Sequence, residues 1–106
     1  MKPKEPKTYT EYFSEASALR VQVGTNIPCG GDAGHGGKTL LELTDAFGTE
    51  WRIQIDGQEF LNPKKLTIEM YGDSEGSTFM KALEYAAKIL EHQVFHKVAR
   101  WKEREG

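Results

Sequence analysis

This 106-residue sequence has one cysteine, Cys29. An internal disulfide is therefore excluded, and the expected setting is a reducing cytoplasm. No apolar run approaches the roughly 20 residues of a membrane span. Basic excess is missing too: 14 Lys and Arg stand against 16 Asp and Glu, a net charge of −2. Duplex nucleic acid is not an expected partner, because a basic stripe is absent, and a DNA mimic would need a far larger acidic excess. No charged-then-apolar leader is seen at the start of the sequence. No paired carboxylates mark general acid–base catalysis, so no catalytic residue is assigned.

Glycine, by contrast, is concentrated. Six of the eleven glycines lie within residues 24–39, Gly-Thr-Asn-Ile-Pro-Cys-Gly-Gly-Asp-Ala-Gly-His-Gly-Gly-Lys-Thr. Such a segment leaves backbone amides uncovered and can curl them around an anion. The spacing excludes a P-loop. Counting back from Gly37-Lys38-Thr39, Asp32 stands where the first glycine belongs, and the segment leads into a strand-like run. A generic anion nest needs only exposed amides and a cation. Its expected ligand-binding residues are Thr25, Asn26, Gly30, Gly31, Asp32, His35, Gly36, Gly37, Lys38 and Thr39. The competing reading is a loop braced by its own residues.

Cys29, Asp32 and His35 offer only three metal ligands in no common zinc pattern. His92 and His96 lack the glutamate of the helical zinc motif, since Gln93 follows His92. No metal and no cofactor is expected. Cys29 near His35 is read as a bystander rather than a nucleophile.

The flanking sequence predicts α+β architecture: an antiparallel sheet of four or five strands, largely meandering, packed by one long C-terminal helix. Residues 1–8 read as a flexible tail and 9–106 as a single domain. Tyr9, Tyr12 and Phe13 open it as a short strand or helical turn. Leu19, Val21 and Val23 alternate with polar residues, as do Leu41 and Leu43, then Trp51, Ile53 and Ile55, then Leu66, Ile68 and Met70. Asp56-Gly57 predicts a tight hairpin. From about 77 to 104 the period becomes helical, with Phe79, Met80, Leu83, Leu90, Val94, Val98 and Trp101 in one sector. That helix outruns strands of five to seven residues. A homo-oligomer is expected, with Tyr85, His92, Phe95, Val98 and Trp101 at its interface.

The run 18–38, with its Gly-Thr-Asn and Gly-Gly-Asp-Ala-Gly-His-Gly-Gly segments, resembles small proteins of no assigned activity encoded by phages and prophages of Gram-positive bacteria. Asp56-Gly57, Asn62-Pro63-Lys64-Lys65 and the closing helix are similar as well. The resemblance implies a phage context, in which small oligomers sequester nucleotide immune signals. The expected function is a non-enzymatic sponge, in the cytoplasm of an infected host cell. It would hold a phosphorylated, nucleotide-like molecule such as a cyclic nucleotide or a cyclic ADP-ribose-type signal. The alternatives are a protein-interaction module acting through the helix, or a hydrolase of a nucleotide signal using Asp32 or His35.

Overall fold

Period-2 patterning becomes strand throughout the first two-thirds of the chain. The computed structural model describes residues 5–28 and 36–105, with side-chain surroundings through residue 95. The elements are β1 (Thr8–Ser14), β2 (Ala18–Thr25), β3 (Lys38–Phe47), β4 (Arg52–Ile55), β5 (Gln58–Leu61), β6 (Lys65–Tyr71) and α1 (Asp73–Glu105). The fold is α+β. Its four-stranded sheet has the order β1-β2-β3-β6, and a second sheet is the β4-β5 hairpin. All pairings are antiparallel.

The sheet is not a continuous meander. After β3 the chain leaves to make the hairpin and returns as β6 beside β3. Asp56 and Gly57 have φ of 50° and 85°, the positive values that a two-residue type I′ turn requires. The hairpin is tied at its open end, where Trp51 N–H donates to Asn62 Oδ1 at 3.1 Å and Asn62 N–H donates to Trp51 O at 2.8 Å. The Trp51 indole donates to Pro63 O at 2.7 Å.

Register sorts the four-stranded sheet into two unlike faces. Tyr9, Val23, Leu41 and Ile68 lie in one cross-strand row, and Glu11, Val21, Leu43 and Leu66 in the next. This face is largely apolar. The other carries Arg20, Gln22, Glu42, Thr44, Lys65, Thr67 and Glu69. There Glu42 is 3.5 Å from Arg20 and 3.3 Å from Lys65. Among the described residues, no Val, Leu, Ile, Met, Phe, Tyr or Trp side chain is fully buried.

By its internal contacts the chain divides into residues 1–76 and 77–106. The helix begins four residues before the expected start, because Asp73 and Glu75 suit its first turn. Its 33 residues span about 50 Å at 1.5 Å each. Met80, Leu83, Tyr85, Leu90, Val94 and Phe95 are exposed along it, and Lys88 donates to Glu84 one turn earlier at 2.9 Å.

Candidate functional site at the base of the glycine-rich loop

The two stems of the glycine-rich segment are the end of β2 and the start of β3. Asn26 N–H donates to Lys38 O at 3.2 Å, and Lys38 N–H donates to Asn26 Oδ1 at 2.8 Å. Thr25 and Thr39, opposite each other in register, share a hydroxyl hydrogen bond of 2.8 Å. Thr25 Oγ1 also accepts from Ile27 N–H at 3.2 Å. Thr39 is buried, at 7% exposure.

The helix start packs beneath this clamp. Gly72 N–H donates to Gly37 O at 2.8 Å. A Cβ on Gly37 would strike Asp73 Oδ1 and lie 2.5 Å from Ile27 Cγ2. One on Gly76 would strike Thr39 Oγ1 and lie 3.1 Å from Ile27 Cδ1. Gly37 and Gly76 thus let two backbones close on Thr39 and Ile27, a role apart from any ligand.

Lys38 projects onto the polar face, opposite Tyr71. Its ammonium donates to both Glu5 oxygens, at 3.0 and 3.1 Å, and is 3.8 Å from Glu69. The Lys38 side chain is only 12% exposed. The Glu5 hydrogen bond is the main cause raising its pKa above the ordinary value; burial opposes, and the Glu5 and Glu69 charges add. The Tyr71 phenol donates to Glu69, and this bond is the main reason its pKa is also raised.

Of the residues expected to bind ligand, the structure gathers Thr25, Asn26, Gly37, Lys38 and Thr39 at the loop base, with Gly36 half-buried beside them. Gly30, Gly31, Asp32 and His35 lie outside the described residues, as does Cys29. Tyr85, His92 and Phe95 are exposed on α1, whereas the side chains of Val98 and Trp101 fall outside the description. Sequence reading missed Glu5, Glu69 and Tyr71. Glu69 and Tyr71 were legible only through register. Glu5, expected in a solvated tail, reaches Lys38 from a segment in which Pro6 is buried and the Lys7 backbone lies against Gly24. Among the described residues, no group of three or more His, Cys, Asp or Glu could hold a metal. No helix there is long and apolar enough to cross a membrane.

Alkaline titration checks the cluster. Lys38 and Tyr71 both have folded-state pKa values above their ordinary 10.5 and 10.0. Groups raised on folding contribute stability in full below the unfolded pKa and lose it as pH climbs through the folded one. Stability from this pair should hold up to about pH 10 and then fall. Tyr71→Phe should start less stable and show a shallower alkaline decline, as read by denaturant unfolding at a series of pH values. Equal slopes would remove Tyr71 from the cluster.

Comparison with protein families, with curated proteins and with solved structures found no match.

Proposed function

We propose that this chain is a non-enzymatic binding protein that works as a homo-oligomer. One observation carries the reading: the sheet has a largely apolar face, yet no large apolar side chain among the described residues is fully buried. A sheet with one apolar face is stable only when that face is covered. Further copies of the chain supply the cover, and closed symmetry limits the assembly. Sedimentation velocity tests this directly. A monomer at tens of micromolar would exclude it.

The ligand assigned to the glycine-rich segment is an anionic, nucleotide-like small molecule, held rather than cleaved. In a phage, holding it would deplete a cyclic nucleotide or cyclic ADP-ribose-type defence signal in the host cytoplasm. The clamped loop base supports the reading, because it sets both ends of an amide-rich segment beside the sole lysine of that segment. Lys38 is engaged by Glu5, so a phosphate must compete with that carboxylate. Glu5→Gln should therefore tighten binding of inorganic phosphate or a cyclic nucleotide by up to about fivefold, the scale of one exposed ion pair. Calorimetry reads the change, and unchanged or weaker binding would remove Lys38 from the site. A heat-stability screen against cyclic nucleotides, with mass spectrometry of molecules released on denaturation, tests the ligand class. Product release would favour the hydrolase instead.

Exposure of Tyr85 and Phe95 on α1 supports a second reading, a module that grips another protein through the helix. There, replacing Phe95 and Trp101 should abolish function while replacing Lys38 and His35 leaves it intact.

A further inference from the structure

Strand β1 forms one edge of the four-stranded sheet. Its outward backbone groups are a template for another strand, and edges of this kind are normally blunted by lysine, proline or a bulge. β1 reads Thr-Tyr-Thr-Glu-Tyr-Phe-Ser and has no lysine, proline or bulge; its one charge is Glu11, and the Lys7 ammonium just ahead of it stands 5.6 Å from the Tyr9 ring centroid. Its register to β2 runs unshifted from Thr8↔Gly24 to Ser14↔Ala18. Tyr9, Tyr12 and Phe13 are 64%, 62% and 60% exposed. The opposite edge, β6, is more heavily charged: Lys65 and Glu69 lie on it, paired with Glu42 and Lys38.

We infer that β1 is a self-pairing edge, joining two copies antiparallel about a twofold axis at Glu11 into one eight-stranded sheet. This rests on the homo-oligomer reading above and adds to it a lateral contact, separate from the covering of the apolar face. A second copy fits because a strand paired antiparallel with itself is isologous and closes after two subunits. With the axis at Glu11, Tyr9 stands opposite Phe13 of the partner subunit on the apolar face. Thr10 stands opposite the partner's Tyr12 on the polar face. Aromatic–aromatic and aromatic–β-branched pairs are among the favourable cross-strand contacts. All seven residues of β1 then enter the ladder. Moving the axis one residue either way sets Glu11 against an aromatic ring and shortens the overlap.

The area is of the right order. A fully buried aromatic side chain removes about 150–250 Å². Three rings at this exposure supply about 300–450 Å² per copy, roughly two-fifths to just over half of the roughly 800 Å² a side in a standard interface. The ladder and the threonines contribute the rest. The arrangement carries one flaw, Glu11 against the partner's Glu11.

That flaw sharpens the test. In the full chain, Glu11→Gln should tighten self-association about 2- to 5-fold, as removal of one unfavourable cross-strand pair allows. Tyr9→Lys with Phe13→Lys should weaken it at least about tenfold. In a Cys29→Ser background, Glu11→Cys should crosslink to a dimer under mild oxidation. Directly opposed residues lie about 4.5–5.5 Å apart, within disulfide reach, and a Thr67→Cys control should not crosslink. A parent chain that sediments as a monomer would remove the homo-oligomer reading and this contact with it. An oligomer whose Glu11→Cys variant stays uncrosslinked would overturn only the edge, whatever the lysine pair does, because Tyr9 and Phe13 also lie on the apolar face. If the lysine variant loses its circular dichroism, the crosslink alone decides.

Discussion

Gly24→Ala should detach β1 from the sheet and lower the melting temperature by roughly 5–20 °C. A Cβ at this position would strike the Lys7 carbonyl oxygen and lie 2.9 Å from Thr8 Cα and 3.0 Å from the Lys7 carbonyl carbon. All three atoms are backbone, so no rotamer change relieves the contact. The segment ahead of β1 must move, although Thr8 pairs with Gly24 in register. Overpacking of this kind costs about 1–3 kcal/mol, and each kcal/mol is worth about 4–8 °C in a domain of this size. The same displacement would pull Glu5 from Lys38. Gly57→Ala is the contrast, since open space surrounds that position and only its φ of 85° resists a side chain. Hydrogen exchange separates the two. Amides of β1 should lose protection in Gly24→Ala and keep it in Gly57→Ala. Retained protection in both would mean that the Lys7–Thr8 backbone yields to a Cβ at position 24 without leaving the sheet.

Leu41→Lys should dissociate the oligomer at concentrations where the parent chain is assembled. Leu41 lies on an inner strand, between Val23 and Ile68 in the apolar row. Leu41 is already half-buried in one copy, so covering the rest of it is worth about 1–2 kcal/mol. A twofold assembly loses that twice, which corresponds to a weakening on the order of 100-fold. Thr67→Lys, on the polar face, should leave assembly unchanged. Sedimentation velocity across a dilution series, with the concentration dependence of the melting temperature, reads both. A Leu41→Lys chain that sediments like its parent would place the apolar face outside the assembly.

Local pattern made most strands legible. Leu19, Val21 and Val23 alternate cleanly, and β2 contains them. Asp56-Gly57 announced its turn because few residues tolerate two successive positive φ values. The return of β6 beside β3 was not legible. A meander and an inserted hairpin have the same alternation, and only pairing between distant strands separates them. The helix start was misplaced by four residues because Asp73 and Glu75 are polar and add nothing to a hydrophobic period. At the loop, the side-chain chemistry was visible, whereas its local partners were not. Lys38 looked like a free cation from its neighbours in sequence. Glu5, 33 positions away, reaches it from the segment that leads into β1.

Composition and periodicity by themselves determined the α+β class, the glycine-rich segment and the exclusion of a P-loop. These depend on spacing within a few residues, and short-range steric rules act at that range. Tertiary structure alone decided that Lys38 is neutralised by Glu5 and Glu69, that Gly24, Gly37 and Gly76 serve close backbone approach, and that β1 stands at an edge of the sheet. Those facts arise where strands distant in sequence meet, and the alternation within each strand carries no information about its neighbour.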